Sequence, residues 1–427
     1  MPIDTVDKEH FTGGKTEGGI TSSYETDDGV KLKVAYSFMG SIYDDAERNA
    51  AIAAMGQDTL TMGPKTQEFQ NKFAKIHGVK HAFACSNCTT AMHVGTQIFD
   101  IKPGDEVIVT PNTFVATSLA ILKEGGVPVF ADIDPETINL DPADVARKIT
   151  PKTKMIVPVH LGGFPVDMDP IMELAEKHGL FVMEDAAHGM GGAYKGRKLG
   201  AIGHFGGFSL HEVKNINSLG EGGLLLTSED FAGKQLAGAR FLGLDFSRKI
   251  KDWLYDISPL TDRFGNVQIA GNHSATEVQA LGLILQMKRL DAIIARRREA
   301  AEYMNRVLAQ EEGILVEKPD TAETYGTHHL YLLRIDPEKV GGDIQLLSKK
   351  LAEKGLTNIT HFGPMYRFRI MHDLGYDENA IAATCPNTER MFYHSYTHLP
   401  LYPLTREQLE YQAQAVVEAV REMKAGK

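Results

Sequence analysis

From about Thr61 to Ser228 the chain alternates short apolar runs with amphipathic ones, and few architectures accept that order. The apolar runs are DEVIVTP (105–111), VPVFADID (127–134), KMIVPVHL (154–161), LFVMEDAA (180–187) and GGFSL (206–210). Between them lie TFVATSLAILKEGG (113–126), LDPADVARKI (140–149) and DMDPIMELAEKHG (167–179), which read as helices; the last opens on acidic residues and closes on His-Gly. An earlier segment, PKTQEFQNKFAKIH (64–77), sets Phe69 and Phe73 four apart on one helical face. Strand–helix alternation predicts a mainly parallel sheet with helices on both faces. Runs as continuously apolar as EVIV fit strands covered on both sides.

The alternation weakens after GGLLLTS (222–228). A long helical stretch, TEVQALGLILQMKRLDAIIARRREAAEYMNRVLAQ (276–310), leads to a smaller lobe of α+β character. That lobe holds a strand candidate, HHLYLLRI (328–335), and two helices, GDIQLLSKKLAEKG (342–355) and LTREQLEYQAQAVVEAVREMK (404–424). The expected division is an N-terminal segment over 1–50, a large domain over 51–300 and a small C-terminal domain over 301–427. Within the first segment SSYETDDGVKLKVAYSF (22–38) reads as a short strand.

Composition narrows the function classes. A net charge of −11 with no long basic block argues against a nucleic-acid surface, and Arg296–Arg298 read as a solvated helix face. No run of about 18 apolar residues predicts a membrane span, and the polar N-terminus has no apolar signal core. Three cysteines are too few for a disulfide scaffold, which predicts a cytoplasmic protein.

Ligands of open parallel sheets sit beyond the carboxyl ends of the strands. The polar residues there are Asn112–Phe114, Glu184–His188 and Ser209–Lys214. Lys214, between an apolar strand and a glycine-rich turn, is a candidate Schiff-base nucleophile if desolvation keeps its amine neutral; read alone, it is more readily a surface lysine in a loop. Asp185 at a strand end needs a partner. A protonated pyridine nitrogen, an arginine or a helix start would each serve. Phe114 offers an aromatic face, or else packs in the core. In CSNCTT (85–90), Cys85 and Cys88 have Cys-x-x-Cys spacing, but no second such pair completes a zinc site, so no metal is expected. Thr89 and Thr90, opening the apolar run AMHVGTQIF, give hydroxyls and amides at a helix start, an anion site.

Together these segments resemble the DegT/DnrJ/EryC1/StrS family of PLP-dependent sugar aminotransferases. The likeness runs from TMGPKTQEF (61–69) through VQALGLILQMKRLD (278–291) and returns in THLPLYPLTREQLE (397–410). Its most specific part is EDAAH…YKGRKLGAIGHFGGFSLHEVKN…GEGG (184–223). The resemblance implies the aspartate aminotransferase-like fold type I of PLP enzymes. It implies that Lys214 forms the internal aldimine with pyridoxal 5′-phosphate and shuttles protons, with pyridoxamine 5′-phosphate as the intermediate form. Asp185 would pair with the pyridinium nitrogen, His188 would lie near the ring hydroxyl and Phe114 would stack on the ring. Cys88, Thr89 and Ser209 would hold the phosphate, and Asn272 would reach the phosphate of a neighbouring subunit, implying a homodimer with shared sites. The reaction implied takes nitrogen from glutamate or glutamine to a nucleotide-linked keto-sugar or a keto-cyclitol.

The chain departs from the family pattern at Cys88, where glycine is usual, at Ser274, where arginine is common, and at Glu212, where proline or a small residue is usual. YRFRI (366–370) lies where relatives vary with their acceptor. Two other functions fit the pattern less well. A sugar dehydratase of the same family carries histidine in place of the lysine, whereas Lys214 is present here and His211 is offset by three. A PLP-binding regulator without turnover would not need the lysine, aspartate and aromatic trio.

Overall fold

The computed structural model describes residues 31–35, 40–244, 260–261, 265–360 and 362–426. Most of the strand expected over 22–38 falls outside them; within 31–35, Val34 makes a parallel bridge to Leu356.

Seven strands form the central sheet: β1 (His81–Cys85), β2 (Glu106–Val109), β3 (Val127–Phe130), β4 (Thr153–Val157), β5 (Phe181–Asp185), β6 (Phe205–Ser209) and β7 (Gly223–Thr227). Their spatial order is β1-β7-β6-β5-β4-β2-β3. Strands β2 to β6 pair in parallel, as the alternation predicts. Strand β7 runs antiparallel to both β6 and β1. It follows β6 through residues 210–222, in which no helix forms, whereas a parallel return usually runs through a helical crossover. Val107, Ile108 and Val109 are fully buried, as strands covered on both faces require.

The helices end where the sequence marks them. One over Pro64–His77 begins with proline and stops at Gly78 in the left-handed conformation, burying Phe69 and Phe73. Another over Met168–His178 stops the same way at Gly179.

The stretch over 276–310 is two helices, Glu277–Met287 and Leu290–Leu308. Leu290, Ile293 and Ile294 pack with Phe69 and Phe73 of the large lobe. Further along the same helix Ala300, Ala301, Met304 and Leu308 pack against the small lobe. There, antiparallel strands Ile314–Leu315, Tyr331–Ile335 and Tyr396–Leu399 lie against helices Ile344–Glu353 and Arg406–Lys424. Val34 belongs to this second core, packed among the C-terminal elements. Among the described residues no helix is long and apolar enough to cross a membrane.

Candidate active site

Strand alternation sends neighbouring carboxylates at the end of β5 to opposite faces of the sheet. Glu184 is fully buried and accepts hydrogen bonds from the amides of Gly200, Ile202 and Gly203 at 2.6–2.8 Å and from His160 Nε2 at 3.0 Å. The amide of Val166 donates to His160 Nδ1, which fixes the proton on Nε2. Glu184 is therefore a brace under the strand end.

Asp185 faces the other way, buried, with two donors: Thr117 Oγ1 at 2.7 Å to Oδ2 and the Ala187 amide at 3.1 Å to Oδ1. Burial raises its pKa, and the bond from Thr117, the Ala187 amide and the charge of Lys214 offset only part of that. A buried carboxylate left in this condition suits a cationic partner.

Lys214 lies in the connection between β6 and β7, where its amide donates to His211 O at 2.9 Å. Burial around its amine lowers the pKa to about 8 against the pull of Asp185, so a substantial fraction is neutral near physiological pH. Cys88 lies within electrostatic reach of both Asp185 and Lys214.

The helix that opens at Cys88 (Cys88–Ile98) is capped by Asn87, whose side chain accepts from the Thr90 amide. The Thr90 hydroxyl donates to Asn87 O at 2.8 Å, so it closes the cap instead of facing a ligand. The amides of Cys88 and Thr89 remain as first-turn donors, with the helix dipole behind them. Gly223 lets β7 pass directly beneath: a Cβ there would stand 2.1 Å from the Asn87 carbonyl carbon and 2.5 Å from the Cys88 amide. Ser209 pairs with Gly223 across the sheet, which brings its hydroxyl to the same corner.

The Cys88 side chain points into the core. A Cβ on Gly207 would meet Met92 Cγ at 2.9 Å and Cys88 Sγ at 3.6 Å, and the cysteine joins the cluster of Met92 and Met183. Burial, then the Asp185 charge, push its pKa well up, so the thiol stays protonated.

Phe114 is no core residue; it is 56% exposed and its ring lies 5.4 Å from Phe362 of the small lobe. It presents an open aromatic face beside the strand end. His188 is buried, accepts from the Gly162 amide through Nδ1 at 3.3 Å, and lies 4.5 Å from the ring of His329. Asn272 stands apart from this group. It is exposed, and its carbonyl oxygen accepts from the Ser274 amide and hydroxyl.

The strand ends thus bring Lys214, Asp185 and Cys88 within electrostatic reach of one another, with Thr89 and Ser209 at the same helix start and with Phe114 and His188 both beside the ring of Phe362. Sequence reasoning passed over two of their supports and misplaced a third. Thr117 is three residues past Phe114, one helical turn, and that spacing was the available signal. His329, from the small lobe, shares a 2.9 Å hydrogen bond with Asn215, the residue after Lys214, and nothing local marks it. Glu184 looked like a site residue and is a brace. A buried carboxylate, a desolvated lysine and helix-start amides fit the ring nitrogen, aldehyde carbon and phosphate of PLP.

Comparison with known proteins agrees. The model of the DegT/DnrJ/EryC1/StrS aminotransferase family matches residues 42–421. The chain is 35% identical over 376 residues to the spore coat polysaccharide biosynthesis protein SpsC of Bacillus subtilis, covering 86% of this chain and 91% of that one. It is 35% identical over 345 residues to the GDP-perosamine synthase of Caulobacter vibrioides, covering 80% and 88%. The solved structure of 3-amino-5-hydroxybenzoic acid synthase superposes with a TM-score of 0.79 at 30% identity, covering 89% of this chain and 97% of that one.

Proposed function

This chain belongs to the DegT/DnrJ/EryC1/StrS aminotransferase family and is a PLP-dependent transaminase, and from that premise we propose that it carries nitrogen from glutamate or glutamine to a nucleotide-linked keto-sugar or a keto-cyclitol through Lys214. The observation that carries this reading is the pairing of a desolvated lysine amine with a buried carboxylate at neighbouring strand ends. The names of two relatives, a GDP-perosamine synthase and a polysaccharide biosynthesis protein, support a nucleotide-linked sugar as acceptor.

When bound, PLP supplies an electron sink that acidifies the carbon carrying the donor nitrogen. The chain's own residues do the rest. Lys214 Nζ would hold the cofactor through its aldehyde carbon in the resting enzyme and, once freed, would take a proton from the donor carbon and return one on the acceptor side. Asp185 would keep the ring nitrogen protonated, with Thr117 holding that carboxylate in place. His188, with Nδ1 occupied by the Gly162 amide, would offer its other nitrogen to the ring oxygen. Phe114 would cover one ring face, while the Cys88 and Thr89 amides with Ser209 would bind the phosphate. Asn272 serves a second copy of the chain. The exposure of Asn272, and of the nearby apolar Val267 (70%) and Ile269 (88%), supports such an interface. Three buried free thiols suit a cytoplasmic setting.

The test is a donor and acceptor screen on purified protein. PLP should give a visible band that borohydride fixes on Lys214, glutamate or glutamine should bleach it, and a keto-sugar should restore it. A protein colourless with PLP would sink the whole assignment; colour without bleaching by any amino donor would sink turnover.

A further inference from the structure

The loop that carries Lys214 is overlaid by a segment far away in sequence, Gly40–Glu47. The Gly40 amide donates to Glu212 O at 2.8 Å, and Asn217 Nδ2 donates to Ser41 O at 3.4 Å. The Leu219 amide donates to Tyr43 Oη at 2.8 Å. Leu219 itself holds a positive φ of 62°, a conformation uncommon for leucine, so this amide bond pins a strained turn. Two arginines of the connecting helices anchor the strap from outside. Arg297, buried, donates to Gly40 O at 2.7 Å and to His329 O at 3.1 Å. Arg289 donates to Ile42 O at 3.0 Å and Asp44 Oδ2 at 2.9 Å and pairs with Glu47.

Contact is tightest at Gly40. A Cβ there would lie 2.1 Å from Val213 O and 2.2 Å from Lys214 O. Both are main-chain carbonyls of the lysine loop, with no flexible side chain to swing aside, so any larger residue must displace one backbone from the other. We propose that Gly40 is a positioning residue for Lys214, with the Gly40–Glu47 strap setting the backbone from which the lysine amine reaches the cofactor. This rests on Lys214 being the cofactor lysine. Arg297 ties that setting to the small lobe through His329 O, so the placement of the amine depends on how the lobes dock.

The experiment reads the amine itself. Asp185, Cys88 and His329 are the titratable groups that face it, so a shift in its place changes its pH midpoint. Gly40→Ala is compared with Gly179→Ala, which places alanine at a positive φ of 66° on a distant helix end with nothing within 4 Å. Two midpoints are measured: that of Lys214 acylation in cofactor-free protein, by peptide mass spectrometry, and that of the visible band with PLP bound. Gly40→Ala should move both by half a pH unit or more and weaken PLP several-fold, while Gly179→Ala lowers the melting temperature and moves neither. Unmoved midpoints in Gly40→Ala, or equal shifts in both variants, would overturn the proposal. If Gly40→Ala yields no folded protein, Tyr43→Phe, which removes the acceptor of the Leu219 amide, should move the acylation midpoint in folded protein; no movement overturns the proposal. If wild-type protein shows no visible band with PLP while Gly40→Ala still moves the acylation midpoint, the assignment of Lys214 to PLP falls and the placement of its amine by Gly40 stands.

Discussion

Thr117 Oγ1 donates a 2.7 Å hydrogen bond to Asp185 Oδ2, from a helix whose N-cap is the exposed Phe114. One helical turn therefore places both the aromatic face and the support of the carboxylate. Thr117→Val keeps the shape and removes the donor. Losing one hydrogen bond to a buried charged group costs about 1.5–3 kcal/mol, and the carboxylate becomes harder to keep ionised. We expect PLP to bind roughly 10- to 100-fold more weakly, since about 1.4 kcal/mol is one decade. A spectroscopic PLP titration giving the wild-type constant would remove Thr117 from the site.

Lys214 makes an opposite prediction for stability. Burial holds its folded pKa near 8, while the unfolded side chain titrates near 10.5. Between those values the unfolded chain binds more protons, so this group makes stability rise with pH; below 8 it imposes its full penalty. Replacing it by an apolar residue of similar shape removes that penalty. Lys214→Met should therefore stabilise the cofactor-free protein at pH 7 by about 1–3 kcal/mol, an advantage that fades towards pH 10.5. The same variant should lose turnover and borohydride fixation. Thermal melts across pH, paired with an activity assay, check both; a destabilised Lys214→Met at pH 7 would contradict the desolvation argument.

The parts of the site that follow from sequence are those encoded locally. The apolar runs fixed the strands, so residues at their carboxyl ends, Asp185 and Ser209 among them, could be placed before any coordinates. What stayed hidden depends on contacts between distant segments. The face that Glu184 chooses is set by the 200–203 turn and by His160, just past the end of the neighbouring strand β4. Gly40 and His329 meet the lysine loop from 170 or more and about 110 residues away respectively. The reversal of β7 was equally unmarked, because an apolar run such as GLLLT reads the same in either direction.

His328, beside His329, holds the small lobe through charge. Burial alone would lower its pKa, but hydrogen bonds with Asp320 and Glu317 outweigh that and raise it to about 9 from 6.5. A raised pKa contributes stability that is fully present below pH 6.5 and lost as pH climbs through 9. From pH 6.5 to 8 this histidine should make melting temperature fall with pH, below the window where Lys214 acts in the other direction. His328→Asn, chosen because asparagine tolerates the positive φ of 45°, should be less stable at pH 6 and lack that slope. An unchanged slope in the variant would dismiss the ion cluster as its source.

Cys88 gives the sharpest separation between backbone and side chain. Its amide faces the site at the helix start, whereas its sulfur is packed beside Gly207 and Met92 with a pKa pushed well up by burial. Glycine is usual here in the family the chain resembles, and the side chain is accommodated because it turns inward. Cys88→Ala keeps the amide and deletes only the sulfur. Stability should fall by about 1 kcal/mol from the small void, while the PLP dissociation constant and turnover stay within about threefold. Cys88→Pro removes the donor instead. Proline is tolerated at the first position of a helix, so the fold should survive while PLP binding weakens about tenfold or more, the loss of one charge-assisted bond to phosphate. Thermal melts and PLP titrations of the two variants decide the matter. If Cys88→Ala loses the cofactor and Cys88→Pro keeps it, the sulfur and not the amide is the functional group at this turn.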